Sequence, residues 1–526
     1  MKIHPSRTVF VSVVAFLFAL LALASTTLSV AATTKSNEPD FAKIDAFVTA
    51  EMQTTHIPGL ALGIVHGNQI MHLQGFGVAD PTGRAITQQT PFIVGSVSKS
   101  FTALAIMQLV EAGKIELDAP VQRYLPWFRL ADPAASTRIT VRHLLYQTSG
   151  IPASADLKEF INGTGNETLE QLVRGLNAVA LDRPVGTTHE YANTNYSVLG
   201  LIVQTVSGES YGTYIQQHIF TPLQMQHSFA SQQEAKQDGL AQGYRWWFGI
   251  PTPTDLPYYR AFLPAGFLIS SAEDMSHYLI MQMNGGRYGS TTILSPKGIA
   301  TMHTTGAVLD AAGGGYAMGW VYVPPQESGV GGPLLYHNGE TTGNFHSEMF
   351  ILPTAQWGII LLTNVGDSKV GKGIQDHIVG GVINLLMGHE PPDAGLRAST
   401  LYPIVDGILV LISVLVLWSA LRLPRWSKKF GQRRHRLVRL GFRLTWELIL
   451  PLALLIGLSI AGSGSNVSWS LLLFNVPDLG WWLIVTLSIL LITGIIRAVL
   501  SFRILRRKHA GTRIQAPSPS ASLSLK

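Results

Sequence analysis

Three apolar runs near the C-terminus, residues 404–421, 444–461 and 479–502, each come close to the ~20 residues a helix needs to cross the hydrocarbon core of a bilayer. No other feature restricts the chain so strongly. A backbone inside lipid must satisfy its own hydrogen bonds, so each run has to be a helix. Residues 422–443 join the first two runs and hold nine Lys and Arg with no acid, whereas residues 462–478 hold none. Arg503, Arg506, Arg507 and Lys508 follow the third run. The positive-inside rule therefore puts the 422–443 loop and the C-terminus in the cytoplasm and everything before the first span outside. The N-terminus implies the same sidedness. Lys2 and Arg7 precede an apolar stretch over 9–24, and Ser29-Val30-Ala31 offers small residues for cleavage, so 1–32 reads as a signal peptide. The alternative is an uncleaved anchor over 9–32.

The net charge of +6 raises the question of nucleic acid, and its distribution answers it. Residues 33–400 carry 20 basic against 29 acidic side chains, and residues from 401 onward carry 16 against 3. The positive charge thus reports membrane topology, and a nucleic-acid partner is excluded. Hydrophobic residues at 47% with 13% charged fit a chain that is partly embedded in lipid. The chain has no cysteine, which removes disulfides, thiolate catalysis and cysteine metal sites. Sequons at Asn162, Asn166, Asn195 and Asn466 are at the level expected by chance. Asp406, Glu447 and Arg497 fall in or beside the spans, where charge marks either an interface or a relay, and Trp481-Trp482 suits an interfacial anchor.

The expected organisation is a signal peptide (1–32), a globular domain (33–390), a linker (391–403), three spans within 404–508 and a disordered cytoplasmic tail (509–526). Within the globular domain, a helix begins near Asp40 and strands cover 60–65 and 69–76. A buried helix follows over 101–111, then strands over 319–323, 349–352 and 357–362, and a closing helix over 372–387. Strands at both ends with helices between them imply one sheet built from the two termini and a helical insertion.

The chemistry-bearing string is Ser96-Val97-Ser98-Lys99, the only Ser-x-x-Lys in the chain. At a helix start this spacing sets Ser96 and Lys99 on one face. A desolvated lysine with a lowered pKa can take the serine proton, and the helix N-terminus favours the developing alkoxide. Tyr191-Ala192-Asn193 supplies a phenol to relay the proton and an amide to hold Lys99 and a substrate carbonyl. A second Tyr-x-Asn occurs at Tyr336-His337-Asn338. It overlaps His337-Asn338-Gly339-Glu340, where the glycine would let a ligand approach a strand closely. Read singly, each string is weak, and the last on its own reads better as a β-turn.

In combination, their order and spacing resemble the serine β-lactamase-related family of class C β-lactamases, low-molecular-weight penicillin-binding proteins, D-aminopeptidases and related esterases. Ile57-Pro58-Gly59, the run from Pro91 to Gly95, the run from Thr140 to Pro152 and the run from Ala265 to Ser271 share the resemblance, which spans roughly 40 to 390. It implies an α/β (α+β) β-lactamase/transpeptidase-like fold with a five-stranded antiparallel sheet, a helical subdomain and a site between them. It also implies roles: Ser96 as acylated nucleophile, Lys99 and Tyr191 as the proton-transfer pair, Asn193 in substrate binding, His337 and Gly339 on the far wall. The backbone N–H groups of Ser96 and Glu340 would form the oxyanion hole. No cofactor or metal is implied, and His143, His337 and His346 show no metal-ligand spacing.

One departure carries weight. Many relatives of this type have Lys-Thr-Gly where this chain has His-Asn-Gly, and a histidine does not supply a permanent cation for a substrate carboxylate. The expectation is an extracytoplasmic serine hydrolase acting on D-residue-containing or acylated peptides. An esterase, a D-alanyl carboxypeptidase, a weak β-lactamase and a non-catalytic cell-wall sensor are the competing readings. A hydrolase domain followed by three spans also resembles the colibactin-type prodrug-maturation peptidases. The partners expected are a peptide, acyl-peptide or ester substrate and the lipid bilayer.

Overall fold

In the computed structural model, the residues described are 39–513, apart from 157–164, 312, 342, 368–372, 394, 396–397, 431–435, 461–468, 470–471 and 474–475. The signal-peptide assignment, the sequons at Asn162 and Asn466 and tail residues 514–526 lie outside the described residues.

Helix α1 (Phe41–Thr55) buries Ile44, Val48 and Met52, a four-residue stripe that turns one face toward the sheet. Strand β1 (Gly59–His66) is buried at every position but the last, so both of its faces are covered. The sheet is completed by β2 (Gln69–Gly77), β3 (Ala307–Val308), β4 (Gly315–Tyr316), β5 (Val321–Val323), β6 (Leu334–Thr341), β7 (Phe345–Leu352) and β8 (Trp357–Thr363). Their order is β2-β1-β8-β7-β6-β5-β4-β3, with every neighbouring pair antiparallel. Five long strands make the expected five-stranded sheet, and three short strands extend it beyond β6.

The strand period of two divides the side chains between two cores. Leu60, Leu62, Ile64, Ile359 and Leu361 join α1 and the closing helix Ile374–Leu386 on one face. Ala61, Val65, Met349, Ile360 and Leu362 join the helical region on the other, with Phe101 and Leu104 of α2 (Ser98–Glu111) and Leu199 of α3 (Asn193–Ser207). The helical subdomain therefore rests on the face of the sheet to which Leu335, His337, Gly339 and Thr341 of β6 point.

Among the described residues, three helices are long and apolar enough to cross a membrane: Ser399–Leu421, Leu440–Gly457 and Pro477–Arg506. The first helix starts at Ala398, inside the stretch read as linker, and the third continues to Arg513. Glu447 lies in a π-helical turn of the second of these helices (Thr445–Ile449) and pairs with Arg497 of the third; Arg497 Nη2 also reaches the Ser419 carbonyl of the first at 3.4 Å. Glu447 and Arg497 thus meet each other, and their contacts link the three helices.

Candidate active site

Ser96 sits in a single 3₁₀ turn, Gly95–Val97, that leads directly into α2. Of residues 91–100 it alone is not buried, so the turn presents one hydroxyl to the cleft. The turn is fixed from two sides. Ser98 Oγ donates to the Gly95 carbonyl (2.7 Å) and accepts from the Leu268 N–H (3.1 Å), while Ser347 Oγ of β7 donates to the Val94 carbonyl (2.7 Å).

Lys99 is fully buried one helical turn on, with Nζ 2.9 Å from Ser96 Oγ, 2.6 Å from Asn193 Oδ1 and 2.6 Å from the Ala265 carbonyl oxygen. Burial lowers its pKa to about 7, against the opposing charge of Asp156. This set of partners suits a neutral amine. Two N–H bonds go to two carbonyl oxygens, and the single lone pair faces the one partner that can itself donate, the Ser96 hydroxyl. Tyr191 donates its hydroxyl to Ser96 Oγ at 2.7 Å, and Lys99 Nζ lies 4.6 Å from the centre of its ring. Burial holds the Tyr191 phenol well above its usual pKa, with Tyr316 adding to the effect. Lysine and tyrosine are thus pushed apart, in the direction that suits Lys99 to take a proton and Tyr191 to keep its own.

Asn193 opens α3, and the N-terminus of that helix is capped from a distance. The Asp156 carboxylate accepts from the Asn193 N–H (2.7 Å), the Thr194 N–H (2.9 Å) and Thr194 Oγ1 (2.6 Å). Burial raises the Asp156 pKa and these hydrogen bonds oppose it. Asp156 thereby fixes the helix start that aims Asn193 at Lys99, as an N-cap side chain does.

On β6 the strand alternation places His337 and Gly339 on the face toward Ser96, with Glu340 directed the other way, so only the Glu340 backbone serves the cleft. The two backbones touch because both glycines lack a Cβ. A Cβ on Gly95 would stand 2.6 Å from the Glu340 nitrogen, and one on Gly339 would stand 2.2 Å from the Val94 carbonyl and 2.9 Å from the Ser96 nitrogen. The N–H groups of Ser96 and Glu340 therefore lie side by side.

His337 is buried, its pKa pushed down to about 3 by burial with the Lys99 charge adding to it. Nδ1 lies 2.6 Å from the Asn338 carbonyl, which can only accept, so Nδ1 carries the proton. Nε2 then accepts from the Tyr316 hydroxyl at 3.2 Å. Both ring nitrogens are occupied and the ring is neutral.

Ser96, Lys99, Tyr191, Asn193, His337, Gly339 and the Glu340 backbone all meet in one cleft. Sequence reasoning missed Asp156, Tyr316 and the Ala265 carbonyl. Two other histidines have structural partners: His143 Nδ1 accepts from the Thr140 N–H in a helix cap (3.2 Å), and His346 pairs with Glu348 (2.6 Å) on the face of β7 opposite Ser347.

The sequence matches the family described as Beta-lactamase over residues 44–378. It is 28% identical over 471 residues to Protein flp of Staphylococcus aureus (strain MW2), covering 86% of this chain and 88% of that protein. A match of that extent runs past residue 378 into the C-terminal helices. Penicillin-binding protein 4 of Amycolatopsis lactamdurans is 30% identical over 315 residues, 59% of this chain and 82% of that protein. Among solved structures, the octameric penicillin-binding protein homologue from Pyrococcus abyssi aligns with a TM-score of 0.58 at 30% identity, over 68% of this chain and 79% of that one. EstCE1, a hydrolase with promiscuous acyltransferase activity, aligns with a TM-score of 0.54 at 23% identity, over 62% and 93% respectively, and shares the fold.

Proposed function

The chain belongs to the β-lactamase family of serine hydrolases, and from that premise we propose that it is a membrane-anchored, extracytoplasmic peptidase or amidase that works through an acyl-enzyme on Ser96. The carrying observation is the Ser96–Lys99–Tyr191 assembly, whose hydrogen bonds and burial support a nucleophile, a base and a proton carrier in that order. Neutral Lys99 takes the proton as Ser96 Oγ bonds to the acyl carbon. The proton passes through Tyr191 to the leaving nitrogen as the C–N bond breaks. Water then attacks the ester, and its proton returns by the same route as Ser96 is released. The N–H groups of Ser96 and Glu340 receive the carbonyl oxygen as it becomes negative. Asn193 Oδ1 is engaged by Lys99, which leaves its Nδ2 for a substrate carbonyl.

If these two N–H groups are the oxyanion hole, Gly339→Ala forces the strand away from the Ser96 turn. Steady-state kinetics with an activated ester should then show kcat reduced by about 10²–10³, with KM altered far less. An unchanged kcat would remove the Glu340 N–H from the mechanism.

The neutral, doubly bonded His337 supports a scissile bond with no free carboxylate beside it, because at the position where many relatives place a lysine it has no positive charge to offer. That favours an internal amide of an acylated or D-residue-containing peptide over a D-alanyl-D-alanine terminus or a penicillin. Sidedness rests on the basic 422–443 loop and the basic residues after the third span. The test is a panel of fluorogenic N-acyl-D-aminoacyl amides, matched dipeptides with a free carboxylate, simple esters and benzylpenicillin, assayed on the full chain in detergent. The amides should give the highest kcat/KM. Equal turnover of the carboxylate dipeptides or penicillin would defeat the argument from His337, and turnover of esters alone would make the protein an esterase.

A further inference from the structure

Strands Tyr244–Trp247 and Ile250–Pro253 form a hairpin whose two-residue turn is Phe248-Gly249, with φ of 48° and 72°. Two positive φ values in succession define the type I′ turn, a place for Asn or Asp followed by Gly. A bulky side chain rarely adopts this conformation, so Phe248 occupies the tip against its local preference. Its side chain is 38% exposed, and Ile250 beside it is 66% exposed.

The surroundings of this tip say what covers it. The Phe248 N–H donates to Asp478 Oδ2 at 2.9 Å, in the first turn of the third span. Gly249 lies against Tyr402 of the first span, close enough that a Cβ at 249 would stand 2.9 Å from the Tyr402 Cβ. Trp246 stacks on the same tyrosine with ring centres 6.1 Å apart. The tip is thus wedged against the ends of two spans at the point where they leave the domain. Trp481, 52% exposed, follows Asp478 by three residues, a further ~4.5 Å along the helix, and tryptophan at such a position marks the membrane interface.

From this geometry we infer that the hairpin tip is a lipid-contacting wedge, with Phe248 and Ile250 seated in the interfacial layer of the bilayer alongside Trp481. The inference rests on the membrane-anchored reading above and adds a second fastening to it. The base of the hairpin is bonded to the sheet end nearest the cleft: Tyr244 N–H to the Asn364 carbonyl and Trp246 Nε1 to the Gly366 carbonyl, each 2.8 Å, while Arg245 lies against Gly343 in the turn after β6. The domain is therefore held at a set height, with the Gly339–Glu340 end of its sheet toward the lipid, instead of swinging on a tether.

Because the chain has no cysteine, single labels are clean. Ile250→Cys, Asn68→Cys and Leu411→Cys, each carrying an environment-sensitive fluorophore, would be reconstituted as full chains in vesicles of phosphatidylethanolamine and phosphatidylglycerol with spin-labelled quencher lipids. Asn68 lies in the turn at the opposite end of β1 from the hairpin, and Leu411 lies inside the first span. Quenching and a blue shift are expected at 411 and 250 and absent at 68. Adding Phe248→Asn, which the turn accommodates, should at least halve the quenching at 250. Quenching at 411 with none at 250 overturns the wedge while leaving the anchor; no quenching at 411 overturns the anchor itself.

Discussion

Ser96→Ala should abolish turnover of every substrate the protein accepts, with kcat falling by about 10⁴–10⁶, the range found when the nucleophile of a serine hydrolase is removed. It should also abolish covalent labelling by a fluorophosphonate, read by gel fluorescence or by the mass of the intact chain. Ser96 is the one residue of its segment left unburied, and its hydroxyl accepts from Tyr191 and faces the lone pair of Lys99 Nζ. The fold should survive the change. Asn193 and the Ala265 carbonyl still hold Lys99, and Ser98 and Ser347 still fix the turn. A mutant that unfolds normally but no longer labels is the expected outcome. Labelling that persists would mean another nucleophile does the work.

How much of this centre could be read from the sequence depends on what each residue contributes. Ser96, Lys99, Tyr191 and Asn193 contribute side chains whose chemistry is evident in their letters, so their strings could be found. The choice between the two Tyr-x-Asn strings is settled physically by strand alternation. Tyr336 stands next to His337 on β6, so it points to the opposite face, where it stacks on Phe350 at 5.4 Å. Ala265 contributes only a carbonyl, which any residue would supply, so no letter could announce it. Asp156 caps a helix that begins 37 residues later, a contact made by the fold and absent from local pattern. Tyr316 lies on a two-residue strand, too short for any period to show. The same shortness hid β3 and β4, whereas β1 and β8, long and continuously apolar, were plain, and β5 and β7 showed through the runs 319–323 and 349–352. The Phe248-Gly249 turn was invisible for another reason: type I′ geometry is signalled by Asn-Gly, and phenylalanine gives no such sign.

Activity should rise as pH increases through about 7, because catalysis needs Lys99 neutral and burial brings its pKa to that value. The limb in kcat/KM belongs to Lys99, since His337 at about 3 has already lost its proton throughout this range. Lys99→Arg keeps a cation that does not deprotonate in proteins, so it should cost about 10³-fold or more in kcat and erase the limb. Stability follows the same titration with a definite sign. Between about 7 and 10.5 the unfolded chain holds a proton on this lysine and the native chain does not, so the lysine's contribution to stability increases with pH across that window. Lys99→Met should remove that slope, and because it no longer buries an ionisable group it should unfold no more easily than the parent at pH 6, although inactive. Asp156 supplies the last check. Its carboxylate raises the Lys99 pKa, so Asp156→Asn should move the activity limb to lower pH, while the amide oxygen keeps the acceptor for the Thr194 N–H and only the one for the Asn193 N–H is lost. A limb that moves upward, or not at all, would mean that some group other than Lys99 is the base.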